Sequence, residues 1–407
     1  MKLRLHSLAY WGIALAVIVS ENFLYLINTD MSVAGIPVLD IGLMLVFIWI
    51  LLFLHRYGLL KSINYRFKWI IICALILIFT SSLQSRILYG QSFMLGIRPQ
   101  RFFFVWCIMY FPIRSLVVEG EVTIKDIEGL IYKIGIIELI LYIGQFLLGN
   151  SVAIIHAKSN NVYSSTRYYM STILLCLLLF ICLDRIFQKR KVITNIIIIA
   201  AVIFEIIVVG KMRLNFISVC AAIVVGIFLW RRGGTTKITF IIVAAIATFF
   251  MAGSEVVQSI VPSIQGNTAI DTLKVRQIGR AFYLSVLKNH PFLGGGYINT
   301  QWMPAYRAAR LSEGIYWVDN GIFGFAYFYG GLGFCWVLWL FEKIYKYAYT
   351  LFKNHNIYLF FVMPIYWIVA CVNEVHWYFS SFFVMVLFLN LLEGYLDEID
   401  KNVNNEI

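Results

Sequence analysis

Uninterrupted apolar runs long enough to cross a bilayer recur along this chain, and no other feature of it constrains the fold so tightly. A helix needs about 20 apolar residues to span the hydrocarbon core. Runs of that order fall at roughly 8–27, 36–54, 68–83, 100–118, 127–147, 168–187, 192–209, 214–230, 237–253, 319–341, 356–372 and 376–392. Inside lipid no water meets the peptide groups, so a spanning segment must satisfy its own hydrogen bonds as a helix or pair within a closed barrel. The runs lack the period-2 alternation of barrel strands. The expectation is an all-α polytopic membrane protein with about twelve transmembrane helices. Composition agrees: at 61% hydrophobic and 13% charged residues, the chain carries more apolar surface than a soluble fold can bury.

Orientation is read from the basic residues, which collect in short cytoplasmic loops. The stretches 1–7, 55–68, 113–126, 185–191, 231–237, 342–355 and 393–407 hold most of the Lys and Arg, with "DRIFQKRK" and "HRYGLLKSINYRFK" the clearest. They share one side if every run crosses, which places both termini in the cytoplasm. The net charge of +12 is then largely a topological signal rather than a nucleic-acid footprint. The predicted organisation is nine helices over 1–253, one long outer loop over 254–318 before the tenth helix, three helices over 319–393, and a tail over 394–407. The segment "DEIDKNVNNEI" of that tail reads as disordered. The basic start and Ser32-Val33-Ala34 resemble a signal peptide, but the apolar run is too long and is interrupted by Glu21 and Asn22, so an uncleaved first helix is expected. The seven Cys form no CxxC pair and read as small apolar packing residues.

The long loop is unlike the rest. Six basic residues, Lys274, Arg276, Arg280, Lys288, Arg307 and Arg310, fall within it. In "LKVRQIGRAFYLSVLK" the pattern predicts an amphipathic helix over 273–288, with Arg276 and Arg280 one turn apart on one face. Two readings stand: arginines touching lipid headgroups from an interfacial helix, or guanidinium forks gripping a diphosphate. Lys211 and Arg213, in the tight turn "VVGKMRLNF", either snorkel to headgroups or add a second cationic contact for the same anion. Pro291 is expected to stop the helix, and Gly294, Gly295 and Gly296 follow, suited to a hinge or to close backbone approach. Trp302 and Tyr306, four apart, offer faces for sugar rings or for the membrane interface. Asp319-Asn320 opens a Gly-rich apolar helix, with Asp319 as helix N-cap or as general base. Glu21, Glu138 and Glu205 lie within apolar runs, and intramembrane carboxyls face a bundle interior or a cavity by default. A proton path is one role for them.

The order "R…R-A-F…P-F-L-G-G-G-Y" followed by "V-D-N-G-I-F-G-F…Y-G-G-L-G", over about 276–333, resembles the core of the bacterial O-antigen polymerase and O-antigen ligase superfamily. The "GKMRLNF" turn is similar to that family's other basic outer turn. The ligase branch typically carries a His-Asn pair where this chain has Asp319-Asn320, so the resemblance favours the polymerase branch. It implies a GT-C-type, metal-independent glycosyltransferase in the bacterial cytoplasmic membrane, needing no cofactor. The implied reaction joins oligosaccharide repeats at the outer leaflet: an acceptor hydroxyl attacks the anomeric carbon of a chain held on undecaprenyl diphosphate, and the lipid diphosphate leaves. The product would be O-antigen, capsule or exopolysaccharide. Implied partners are the undecaprenyl-diphosphate-linked oligosaccharide, membrane lipid and a chain-length regulator protein.

In that frame Arg276 and Arg280 bind the diphosphate with Arg213 and Lys211 assisting. Asp319 orients or deprotonates the acceptor, with His290 second in line and Asn320 beside it. Gly294 to Gly296, Trp302 and Tyr306 contact substrate. No DxD and no His pair at ligand spacing points to a metal. Rival readings are a repeat-unit flippase, which would more often show two similar halves, an O-antigen ligase, and a non-enzymatic assembly partner.

Overall fold

The computed structural model describes residues 2–57, 65–149, 152–162, 165–229, 267–372, 374–377 and 381–405; the ninth apolar run, 237–253, and loop residues 254–266 lie outside them. Each of the other apolar runs contains a helix. The helices are α1 (Lys2–Ser20), α2 (Val38–Tyr57), α3 (Lys68–Tyr89), α4 (Phe93–Ile97), α5 (Arg101–Val118), α6 (Ile124–Leu148), α7 (Ile173–Phe187), α8 (Val192–Phe204) and α9 (Arg213–Leu229). After the undescribed stretch come α10 (Asn267–Asn289), α11 (Met303–Ala308), α12 (Gly321–His355), α13 (Leu359–Ala370) and α14 (Phe382–Asn405). A π-helical turn, Glu205–Val209, continues α8. Among the described residues six helical stretches are long and apolar enough to cross a membrane: Val38–Arg56, Lys68–Tyr89, Phe93–Val118, Ile124–Leu148, Val192–Val209 and Trp317–His355.

Local chemistry sets several of these boundaries. Asp40 in the first turn of α2 and Arg56 in its last complement the helix dipole. α3 ends on Gly90 in the left-handed conformation. α6 opens with a capping box, Thr123 and Asp126 exchanging bonds with each other's backbone N–H.

The exposed faces are apolar. Leu45, Ile48, Leu51 and Leu52 of α2, and Ile193, Ile196 and Ile197 of α8, stay uncovered, as a lipid-facing surface requires. α7 and the Phe382–Leu392 part of α14 are buried on nearly every side. α7 packs on α6, α8 and α13, and α14 on α5, α6 and α12.

The loops form two groups, and each group is knitted within itself. At one end, here the basic end, Arg114 pairs with Glu393 at 2.9 Å and with Asp397, and Arg66 pairs with Asp400 at 2.8 Å. Lys343 donates to the Arg66 carbonyl, and Arg185 meets Glu128 at 3.6 Å. At the other, the loop end, Arg101 pairs with Asp40, the His156 N–H donates to the Tyr25 carbonyl, and the Trp302 indole N–H donates to the Tyr89 carbonyl. Among the described residues, the basic stretches 55–68, 113–126, 185–191, 342–355 and 393–407 are joined by such contacts, while 231–237 lies outside them.

Three expectations are corrected. The acidic tail is helical to Asn405, because Asp397 and Asp400 are drawn onto Arg114 and Arg66. The run 168–187 becomes helical only from Ile173, since its first residues close a hairpin of β3 (Lys158–Val162) and β4 (Ser165–Tyr169); a shorter hairpin joins β1 (Ser32–Val33) to β2 (Ile36–Pro37). The run 319–341 continues as α12 through the basic stretch to His355.

Arg114 is 1% exposed and neutralises two carboxylates. Removing one partner of a buried pair strands the other charge, at a cost of about 3–5 kcal/mol. Arg114→Ala is therefore expected to lower the melting temperature of the purified protein sharply. The paired variant Arg114→Met with Glu393→Met should lose less, read by thermal unfolding in detergent.

Candidate functional site

At the loop end, α10, the segment 290–302 and the start of α12 are built into one unit. α10 spans the predicted amphipathic helix and ends at Asn289, two residues before Pro291. It lies against α12. At Gly279 a Cβ would stand 2.8 Å from Asn320 Nδ2, just before α12, and 3.1 Å from Ile315 Cγ2. Tyr283 is buried beside Tyr327, ring centroids 5.1 Å apart.

The glycine triplet is a packing device. Gly294 and Gly296 have φ of +62° and +74°, and a Cβ on either would overlap main-chain atoms, of α12 for Gly294 and of α3 for Gly296. The Gly295 N–H donates to the Tyr327 carbonyl at 2.7 Å, and the Tyr297 N–H to the Ser81 carbonyl at 3.0 Å. Side chains from α3 and the turn after it meet the rest: Gln84 donates to the Gly294 carbonyl, and Gln91 donates to the Tyr297 carbonyl and accepts from the Asn299 N–H. α12 is itself broken at Gly330, φ +62° and ψ −158°. The freed N–H groups of Gly331 and Leu332 donate to the Pro291 and Phe292 carbonyls at 2.7 and 3.1 Å. The irregular segment and the helix break therefore satisfy each other, as backbone buried in a bundle must be satisfied. The close approach that three glycines permit is to the chain's own backbone.

Around this wedge the predicted site residues separate. Arg276 and Arg280 are half-buried on α10, one turn apart. Arg280 donates to the Val372 carbonyl at 3.2 Å and lies 5.5 Å from the Phe323 ring centroid. Arg276 has no partner among the described residues. Asp319 is exposed, in a 3-10 turn spanning Trp317–Asn320, and caps no helix; the cap position is held by Asn320 without a side-chain bond. Its charge reaches Tyr283 of α10. Asn320 is buried, its Nδ2 donating to the Tyr316 carbonyl at 2.8 Å while its Oδ1 has no partner.

His290 follows α10, half-buried, its carbonyl accepting from the Gly294 N–H. Trp302 is half-buried with its indole N–H committed to Tyr89, and Tyr306 is half-buried one turn on. Lys211 has different packing partners from α10: its turn is held by Arg167 of β4, which donates to the Gly210 carbonyl, and by Met212, whose N–H donates to the Ile206 carbonyl. The Arg213 side chain lies outside the described residues. Arg310 is engaged by Glu313 three residues on, and that contact holds the Glu313 carboxyl below the usual carboxylate range.

Sequence reasoning missed the segment 371–377. The Ile322 N–H donates to the Cys371 carbonyl at 2.8 Å, which ties this segment to the start of α12. Buried His376 stacks on Tyr366, its Nε2 3.3 Å from the phenol oxygen, and Glu374 is a charged neighbour of both. The signal was the polar cluster "NEVHW" between two apolar runs. Among the described residues no three His, Cys, Asp or Glu side chains converge as a metal site.

Compared with known proteins, the chain matches no family model, and no curated sequence matches it.

Gly296→Ala places a methyl group against α3 at positive φ, where strain and overlap add. A loss of stability above about 1 kcal/mol is expected, read as a lower melting temperature. Gly314→Ala, also at positive φ but with open space around it, should lose less.

Proposed function

We propose that this chain is a polymerase of lipid-linked oligosaccharide repeats, a metal-independent glycosyltransferase of the bacterial cytoplasmic membrane whose loop end faces outward and whose termini are cytoplasmic. The single observation that carries the reading is Arg276: a half-buried guanidinium with no partner among the described residues, one turn from Arg280, on a helix packed against the Asp319–Asn320 turn. A cation kept unpaired on a packed element is pre-organised for an anion from outside the chain. A planar fork suits the paired oxygens of a diphosphate.

In the reaction the acceptor sugar's hydroxyl oxygen attacks the anomeric carbon of the growing chain. The bond to the lipid diphosphate breaks, and its electron pair leaves with the diphosphate oxygen. Arg276 and Arg280 stabilise that developing charge, and Asp319 accepts the hydroxyl proton. Lys211 and Arg213, on a different turn, and His290, at the end of α10, are secondary contacts in this proposal. The packed wedge 290–299 acts as the rigid floor that fixes α10 against α12. Trp302 and Tyr306 present the half-buried aromatic edge along which a sugar lies. The substrates are undecaprenyl-diphosphate-linked repeats, and a chain-length regulator is the expected protein partner.

A second reading, a repeat-unit flippase, is favoured by one observation, the buried carboxyls Glu21, Glu138 and Glu205. Deleting the gene separates the two: loss of a flippase strands repeats on the cytoplasmic face, whereas loss of a polymerase leaves them outside and unjoined.

The decisive assay supplies purified protein with a lipid-diphosphate-linked repeat and looks for longer chains together with released lipid diphosphate. Arg276→Ala is expected to cut chain growth about a hundredfold or more with an unchanged melting temperature, since this side chain has no partner among the described residues to lose. Arg280→Ala should lose both activity and stability through its bond to Val372. Lys at either position should restore activity only in part. A normal polymer ladder from the Arg276→Ala, Arg280→Ala double variant would remove the diphosphate role. Asp319→Asn should abolish turnover while lipid diphosphate still binds.

A further inference from the structure

Three glutamates from three different elements are fully buried in the bundle. Glu21 follows α1, Glu138 lies in the middle of α6, and Glu205 opens the π-helical turn after α8. Glu21 and Glu205 are both charge neighbours of Glu138. The Tyr142 hydroxyl donates to Glu138 Oε1 at 2.6 Å, and the Ser171 hydroxyl stands beside Glu21. Among the described residues, both oxygens of Glu205 and Oε2 of Glu138 have no hydrogen-bond partner, and Glu21 has only the Ser171 hydroxyl nearby. None of the ion pairs among the described residues reaches them. Among the described residues the other titratable groups facing the cluster are Tyr25, Tyr142, Cys176 and Tyr366, and Glu374 is a charged neighbour of the last two. Arg167, on β4, donates to the Gly210 carbonyl instead.

Three carboxylates cannot all ionise in an apolar interior without cations, because desolvation and mutual repulsion both oppose it. A cluster of this kind takes up its own counter-charge. No set of these side chains converges as a metal site among the described residues, so the occupant the geometry favours is the proton. Glu205 sits on a π-helical turn, a distortion that recurs at functional sites.

Polar residues on the same helix lead from Glu138 toward the loop end. Glu138, Tyr142 and Gln145 are spaced four and three residues apart, so they share one face of α6. Gln145 lines a cleft of about 330 Å³ at the loop end, together with Asp30, His156 and Lys158. Its amide accepts from the Ile154 and Ile155 N–H groups and donates to the Gly149 and Val152 carbonyls.

We propose that Glu21, Glu138 and Glu205 form a proton-exchange site inside the bundle, connected to the loop-end cleft along the Glu138–Tyr142–Gln145 face of α6. The site shares no residue with the diphosphate reading and stands whether or not that reading does. An acid proton leaves one carboxyl, passes by way of the Tyr142 hydroxyl and the cleft to bulk water, and returns by the same path; no oxidant or co-reactant is needed.

The test is infrared spectroscopy of the full-length protein in lipid nanodiscs, over a pH series in H2O and D2O. The carbonyl stretch of protonated carboxylic acids is expected to fall as pH rises from about 5 to 9. Glu138→Gln and Glu205→Gln are each expected to remove part of the band, which assigns it. Each should also move the remaining titration to lower pH, because a repelling neighbour has gone. Gln145→Leu is expected to slow the D2O-induced shift of the band while leaving its equilibrium titration in place. A band that is absent or pH-invariant would overturn the proposal, as would one unaffected by both Gln substitutions. An unchanged exchange rate in Gln145→Leu would overturn the α6 route.

Discussion

The structure depends on one constraint: in a bundle shielded from water, each buried peptide group must find its partner inside the protein. Most of the chain meets it by being helical. The stretch 290–302 and the break at Gly330 do not, and they meet it through each other. The two N–H groups released where α12 kinks are taken by the Pro291 and Phe292 carbonyls, and Gln84 and Gln91 reach across to the carbonyls that follow. This exchange seats a non-helical segment between α3 and α12 and thereby holds α10 in place above it.

Electrostatics divides the molecule in a second way. Four cations of the basic end are engaged: Arg114 and Arg66 with the carboxylates of α14, Arg185 with Glu128, and Lys343 with a backbone carbonyl. At the loop end the charges are sorted. Arg101 goes to Asp40, Arg310 to Glu313 and Arg280 to a carbonyl, while Arg276 has no partner among the described residues. That half-buried guanidinium is the group the proposed diphosphate would engage. The buried glutamates pose the same question with the opposite sign, and protons answer it.

Much of the fold was legible. Apolar length and basic-residue asymmetry are one-dimensional signals, and the helices and the two groups of loops follow from them. The α10 helix and its end before Pro291 were equally readable, from helical periodicity and the missing N–H of proline. The acidic tail was misread because its charges suggest solvation; a sequence does not show that Asp397 lies within reach of Arg114, 283 residues away. The glycine triplet was read as hinge or close approach, and the choice between them required knowing which backbone stood opposite. The His376–Tyr366 pair was missed because a single His in a short polar turn carries no spacing signal.

By itself, then, the sequence determined that the chain is mostly helical with stretches long and apolar enough to cross a membrane, roughly where most of its described helices run, and which segment interrupts the pattern, because lipid imposes length and hydrogen-bond rules that act along the chain. Only the tertiary structure decided that half-buried Arg276 has no partner among the described residues, that the glycines press on protein backbone, and that three distant glutamates are charge neighbours. Those facts depend on which groups meet across the bundle, and pairing in three dimensions is not written in any local stretch of residues.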